Sequence, residues 1–214
     1  MIKPCFAPGS VVLFQGDSTT DCGRDYTDPR SLSAGYPGQA AAIYQALFPS
    51  RNVTFYNRGV SGNRVADLLD RYEADFAALR PDFVSILIGI NDTWRRYDAD
   101  DPTPAGVFGA QYETLLGRLK ADFPAVKLLL MEPFLLPVRE EQRRWREDLD
   151  PKIQEVRRLA ARYADWYLPL DGILNAYALR TKDPAALAAD GIHPTELGNG
   201  LIARTFLGAL EILD

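Results

Sequence analysis

The sequence predicts an α/β domain in three layers, with helices on both sides of a five-stranded parallel sheet, and two observations carry that expectation. Short apolar runs alternate with longer amphipathic stretches along most of the chain, the pattern of repeated βα units. The loops after the first three runs are small, polar and glycine-bearing, as expected where parallel strands end at a crevice. No Pro/Gly/Ser-rich linker and no internal repeat interrupts the 214 residues, so residues 1–214 read as a single domain. A chain of this length buries roughly 70% of its unfolded surface and needs no staple to hold it.

The strands are expected at Val11–Gln15, Val53–Asn57, Phe83–Ile88, Val126–Met131 and Trp166–Leu170. Each run is short and apolar, and four of the five are rich in β-branched or aromatic residues. Apolar residues at three-to-four spacing predict helices over Tyr36–Phe48, Arg64–Leu79, Val107–Phe123 and Glu140–Ala164, joined by right-handed crossovers. A loop and a short helix follow the fifth strand, and Thr195–Ile212 closes the chain as a last helix. Pro151 either breaks the fourth of these helices or begins its second half. The mixed charges of Arg139–Asp148, which include Trp145, read as a solvated helix face, with an oligomer contact or a lid as the other reading.

Composition excludes several classes of function. With 24 Lys and Arg against 29 Asp and Glu, the net charge is −5, which offers no footprint for sequence-independent nucleic-acid binding. Hydrophobic residues make up 47% and charged residues 25%, the balance of a globular protein rather than a disordered one. One His and two Cys cannot build the usual four-ligand zinc or iron–sulfur site, so no metal is expected. Cys5 and Cys22 read as reduced thiols rather than a disulfide. The start of the chain carries no apolar segment of the secretory type, and no stretch approaches the ~18 apolar residues of a membrane span. A soluble, cytoplasmic protein without a membrane partner is expected, and a homo-oligomer is left open.

The loops carry the chemistry. Gly16-Asp17-Ser18 follows the first strand, Gly59-Val60-Ser61-Gly62-Asn63 the second and Gly89-Ile90-Asn91-Asp92 the third. Asp190-Gly191-Ile192-His193-Pro194 precedes the last helix and holds the lone histidine. Asp190 and His193 can point the same way on a tight turn, so that the carboxylate sets the tautomer and leaves one ring nitrogen free as a base. Ser18 at a strand end exposes its Oγ, while its own N–H, the N–H of Gly62 and the Asn91 amide can face a developing oxyanion. Each feature has a plainer reading: Gly16 and Gly62 as turn glycines, Asp17 as a helix N-cap, Asn91-Asp92 as a turn pair.

Together the four blocks resemble the SGNH hydrolases, or GDSL-type esterases, over nearly the whole chain. Gly16-Asp17-Ser18, Gly62, Gly89 to Asp92 and Asp190 to Pro194 match the family's blocks, with Thr19 in place of the usual Ile or Leu. The resemblance implies a flavodoxin-like sheet order, Ser18 as nucleophile, His193 as base and Asp190 as its partner. It also implies an oxyanion hole of Ser18, Gly62 and Asn91, and no cofactor. Thr20 to Arg24 and Trp94 to Asp98 look like the intracellular acetylxylan esterases of this family, which deacetylate xylo-oligosaccharides. The substrate is then a small-molecule ester, with Asp17, Arg24, Trp94, Arg95 and Tyr97 as candidate contacts. Trp94 and Tyr97 suit a sugar face and Arg24, Arg95 or Arg96 its hydroxyls, although Trp94 can equally pack the start of a helix.

Rival chemistries have their own features. A lysophospholipase or thioesterase of the same family differs only in the groove at Ser18. An α/β-hydrolase elbow fails because Asn63 stands where Gly-x-Ser-x-Gly needs its last glycine, leaving Ser61 a poor second nucleophile. Cys22 with His193 would make a thiol hydrolase. A flavodoxin-like module would cradle a phosphate or FMN on Gly16 to Thr20, but gives no reason for Asp190 and His193.

Overall fold

The structure, a computed structural model, describes residues 3–213. Five parallel strands, β1 (Val11–Gly16), β2 (Thr54–Asn57), β3 (Phe83–Leu87), β4 (Lys127–Met131) and β5 (Trp166–Leu168), form one sheet in the order β2-β1-β3-β4-β5. The order changes direction between β1 and β3, and ligands of such sheets bind outside that switch point. Gly16 pairs with Leu87 and Phe14 with Asn57, so the loops after β1, β2 and β3 leave the same edge side by side.

Alternation along the strands builds a core on each face. Val12, Phe14, Phe83, Leu87, Leu129 and Met131 face one way, against α2 (Tyr36–Leu47), α8 (Leu170–Thr181) and α9 (Glu196–Ala209). Leu13, Val84, Ile86, Leu128 and Leu130 face the other, against α3 (Val65–Asp70), α6 (Ala105–Asp122) and α7 (Arg146–Tyr163). The remaining helices are short: α1 (Ser18–Asp21), α4 (Tyr72–Asp75) and α5 (Ile90–Asp98). Among the described residues no helix is long and apolar enough to cross a membrane.

Four elements depart from the sequence expectation. The helix expected over 64–79 breaks at Arg71, where ψ of 16° leaves helical geometry, giving α3, α4 and a 3-10 turn at Ala77–Leu79. Residues 140–164 divide into a 3-10 turn, Glu140–Trp145, and α7, which runs through Pro151. The proline forfeits its bond to the Glu147 carbonyl, but Leu149, Ile153, Val156 and Leu159 are buried along the same helix and hold it together. Arg139–Asp148 is a solvated face only in part: Arg139, Glu140, Glu141, Arg143, Arg144 and Glu147 are exposed, but Gln142, Trp145 and Asp148 are buried. Finally α5 stands where a polar loop was read: Asn91, Asp92 and Thr93 are buried in its first turn, so polarity hid the helix.

Candidate active site

The first turn of α1 presents the nucleophile candidate. Asp17 caps this four-residue helix, its Oδ1 accepting from the Thr19 N–H at 3.0 Å, and Ser18 is the first helical residue. The Ser18 Oγ lies 3.0 Å from His193 Nε2, and His193 Nδ1 lies 2.6 Å from Asp190 Oδ2. The second Asp190 oxygen accepts the N–H of Ile192 at 3.0 Å and of His193 at 2.8 Å. Burial works to raise the Asp190 pKa, but the ring and backbone donors of His193 and Ile192 outweigh it and hold the carboxyl below the usual range. An ionised Asp190 keeps the proton on Nδ1 and leaves Nε2 to accept from Ser18.

The loop carrying Asp190 and His193 is braced from below. Gln142 Nε2 donates to the Asp190 carbonyl at 2.7 Å, and Leu136 N–H donates to the Gly191 carbonyl at 2.9 Å. Ile192 packs into a small cluster with Ile90, Leu135, Trp145, Leu149 and Ile153. Neither Gln142 nor Trp145 stands out as functional in the sequence. The only signal was a Trp inside a charged stretch, which binary patterning assigns to the surface.

Three candidate oxyanion donors lie just beyond the ends of β1, β2 and β3. The N–H groups of Ser18 and Gly62 meet no protein acceptor among the described residues, and the Asn91 Nδ2 gives one of its two hydrogens to the Asn63 carbonyl at 3.0 Å. Gly62 is a glycine for a different reason than close approach. No heavy atom lies within 4 Å of where its Cβ would sit, but its φ of +83° is one that L side chains rarely adopt.

The candidate substrate contacts divide. Trp94 is half-buried, its ring 5.9 Å from that of His193 and 5.7 Å from that of Trp145. Tyr97 stacks on Trp145 at 5.3 Å and donates its hydroxyl to the Arg144 carbonyl at 2.9 Å. Arg95 pairs with Asp98 and lies 5.3 Å from the Trp94 ring. Of these three, Trp94 stands beside the histidine. Asp17 and Arg24 are engaged within the protein: Asp17 is 1% exposed and turned inward, and Arg24 donates to the Gly59 carbonyl at 3.0 Å with its guanidinium 4.0 Å over Tyr26. Burial pushes the Asp17 carboxyl up to about 6, against the opposing pull of the Thr19 N–H and His193.

The rival chemistries find less support in this geometry. Ser61 Oγ donates to Asp21 Oδ2 at 2.6 Å, away from the histidine, and the Cys22 Sγ lies 3.8 Å from Asn199 Nδ2, with burial raising the thiol's pKa. At the α1 N-terminus, where a phosphate would sit, the Asp17 carboxylate already takes the Thr19 N–H.

Comparison with known proteins identifies the family. Residues 14–201 match the GDSL-like Lipase/Acylhydrolase family. An acetylxylan esterase of Geobacillus stearothermophilus is 38% identical over 205 residues, covering 93% of both chains. The solved structure of an acetylxylan esterase from that organism superposes with a TM-score of 0.87 at 34% identity, covering 97% of this chain and 96% of the other. An α/β hydrolase enzyme from the metagenome of Lake Arreo, Spain, superposes with a TM-score of 0.88 at 33% identity, covering 98% and 99%. With matching blocks, sheet order and near-complete coverage, the chain belongs to the GDSL-like lipase/acylhydrolase (SGNH hydrolase) family and is a carboxylic ester hydrolase.

Proposed function

We propose that the protein is a serine esterase that removes short acyl groups, acetyl above all, from xylo-oligosaccharides or related acetylated sugars. The observation that carries the reading is the unbroken chain from Ser18 Oγ through His193 to Asp190. His193 Nε2 takes the Ser18 proton as Oγ attacks the ester carbonyl, and Asp190 stabilises the imidazolium that forms. The Ser18 and Gly62 N–H groups and the free Asn91 hydrogen hold the tetrahedral oxyanion. His193 then gives its proton to the departing sugar oxygen, leaving an acyl-Ser18. Water, activated by the same nitrogen, attacks this ester, and acetate leaves with Ser18 restored.

Two further observations support a short acyl group and a sugar alcohol. The gap walled by Asp17, Thr19, Leu87, Ile90, Pro133 and Phe134, the neighbours of Ser18 in sequence among them, is too small for a water molecule and offers no room for a long acyl chain. Trp94 places aromatic surface beside His193, where a pyranose face can stack. The relatives point the same way: solved structures described as catalytic mutants of the Geobacillus acetylxylan esterase are changed at a serine, an aspartate and a histidine.

The test is a hydrolysis panel of acetylated xylo-oligosaccharide and p-nitrophenyl esters from acetate to octanoate, run on the wild type and on Ser18→Ala and His193→Ala. Turnover should fall with acyl length and both variants should lose several orders of magnitude in kcat. Faster turnover of long chains would instead favour a lysophospholipase or thioesterase. Near-wild-type activity in either variant would overturn the mechanism.

A further inference from the structure

Gly62 presents a difficulty for the reading above. An oxyanion donor must point at the reacting oxygen to within a few tenths of an ångström, yet Gly62 is exposed and no group beyond its chain neighbours lies within 4 Å of where its Cβ would sit. Its direction has to come from its two neighbours. We propose that Asp21 and Arg71 are positioning residues that grip Ser61 and Asn63, and so aim the Gly62 N–H from both sides. The proposal rests on Gly62 being an oxyanion donor, as in the proposed function.

On one side, Asp21 Oδ2 accepts both the Oγ–H of Ser61, at 2.6 Å, and its N–H, at 3.2 Å. Asp21 is 3% exposed and its carboxylate also takes the Tyr26 hydroxyl at 2.8 Å, so it cannot drift. It lies three residues past Ser18 on the same helix, which ties the Gly62 loop to the element that carries the nucleophile. Two further bonds seal this contact, from Arg24 to the Gly59 carbonyl at 3.0 Å and from Asn57 Nδ2 to the Thr20 carbonyl at 2.7 Å. The two segments lie so close that a Cβ on Gly59 would come within 2.3 Å of the Asp21 nitrogen.

On the other side, Arg71 Nε donates to Asn63 Oδ1 at 2.8 Å. Its Nη1 reaches the Arg58 carbonyl at 2.8 Å and its Nη2 the Gly16 carbonyl at 3.3 Å, with Asp75 at 2.6 Å as counter-ion. One guanidinium thus joins the end of β1 to both ends of the Gly62 loop, which a lysine, lacking the planar fork, could not do. The helix expected over 64–79 is interrupted at this residue. Asn63 also accepts from Asn91 through its carbonyl at 3.0 Å, so the clamp on Gly62 and the second oxyanion donor meet on one residue.

Ser61→Ala, Ser61→Thr and Asn63→Ala in the full chain test this, because each acts on the clamp while leaving Asp21 and Arg71 in place. Removing a whole oxyanion donor costs ~10²–10³ in kcat, and a misaimed one less. Ser61→Ala and Asn63→Ala should each lower kcat on p-nitrophenyl acetate about tenfold with KM within about twofold. Affinity for phenylboronic acid, whose serine adduct places an oxygen in the same hole, should fall with kcat/KM. Ser61→Thr, which restores the hydroxyl, should recover most of both. Wild-type kcat in both alanine variants, or a loss of kcat with unchanged boronate affinity, would overturn the clamp. If the wild type neither turned over acetyl esters nor bound the boronate, the esterase reading itself would fall. An active wild type silenced by Ser18→Ala but indifferent to Ser61→Ala and Asn63→Ala would remove the clamp alone.

Discussion

Asp92 is the residue whose replacement by asparagine should make this protein more stable, and by an amount that depends on pH. Its side chain is fully buried, one oxygen accepts the Val65 N–H at 3.3 Å and the other has no partner. Burial pushes its pKa up from 3.8 to about 7, against the pull of the Val65 N–H, Lys152 and Arg64. Below pH 3.8 the carboxyl is neutral in both the folded and unfolded chain and contributes nothing. Between 3.8 and about 7 only the unfolded chain has released the proton, so stability falls as pH rises. Above about 7 both forms are ionised and the full difference applies. At ~1.4 kcal/mol per unit, the rise from 3.8 to about 7 amounts to about 4 kcal/mol. At pH 5 only the interval from 3.8 to 5 counts, about 2 kcal/mol. Asparagine keeps an acceptor for Val65 and carries no charge, so Asp92→Asn should be more stable than the wild type at both pH values, and by more at pH 8. Urea unfolding at pH 5 and pH 8, followed by tryptophan fluorescence, measures both differences. A variant less stable than the wild type at pH 8 would refute the reasoning: Asp92 would then be ionised and held by the buried Lys152, which its removal would strand.

Two other substitutions address the site. Asn91→Ala should lower kcat roughly 10²–10³-fold with little change in KM, because the amide acts on the oxyanion rather than the ground state, and a loss confined to KM would make Asn91 a binding residue. Trp94→Ala should raise KM for acetylated xylo-oligosaccharide several-fold while leaving p-nitrophenyl acetate within about twofold, as expected for loss of a stacking surface worth ~0.5–1.5 kcal/mol. Equal losses on both substrates would show instead that Trp94 supports the His193 ring, which it approaches at 5.9 Å.

Much of the molecule was legible in one dimension. Strand runs such as Val11–Gln15 and Phe83–Ile88 are apolar on both faces, and only a doubly covered sheet asks for that. The four glycine-bearing blocks were legible because they lie at strand ends or just before a helix, where turn chemistry restricts the choice of residue. The same logic failed at α5 and at 139–148, where buried side chains are polar or charged. Asn91, Asp92 and Gln142 look like surface residues in a sequence, since their partners come from distant segments: Asn63, Val65 and Asp190.

Local order and residue type therefore determined the layered α/β architecture and the loop blocks from which the proposed roles of Ser18, Asp190 and His193 are read, with a single histidine to serve as the proposed base. Tertiary structure decided what each polar side chain is for. It turned Asp17 and Arg24 from substrate candidates into braces, occupied Ser61 with Asp21, and put Trp145 beneath Trp94. Hydrogen-bond partners 35 to 55 residues apart, such as Arg24 with Gly59 or Arg71 with Gly16, leave no periodicity for a sequence to display. They exist only once the sheet has brought the ends of β1, β2 and β3 to one edge.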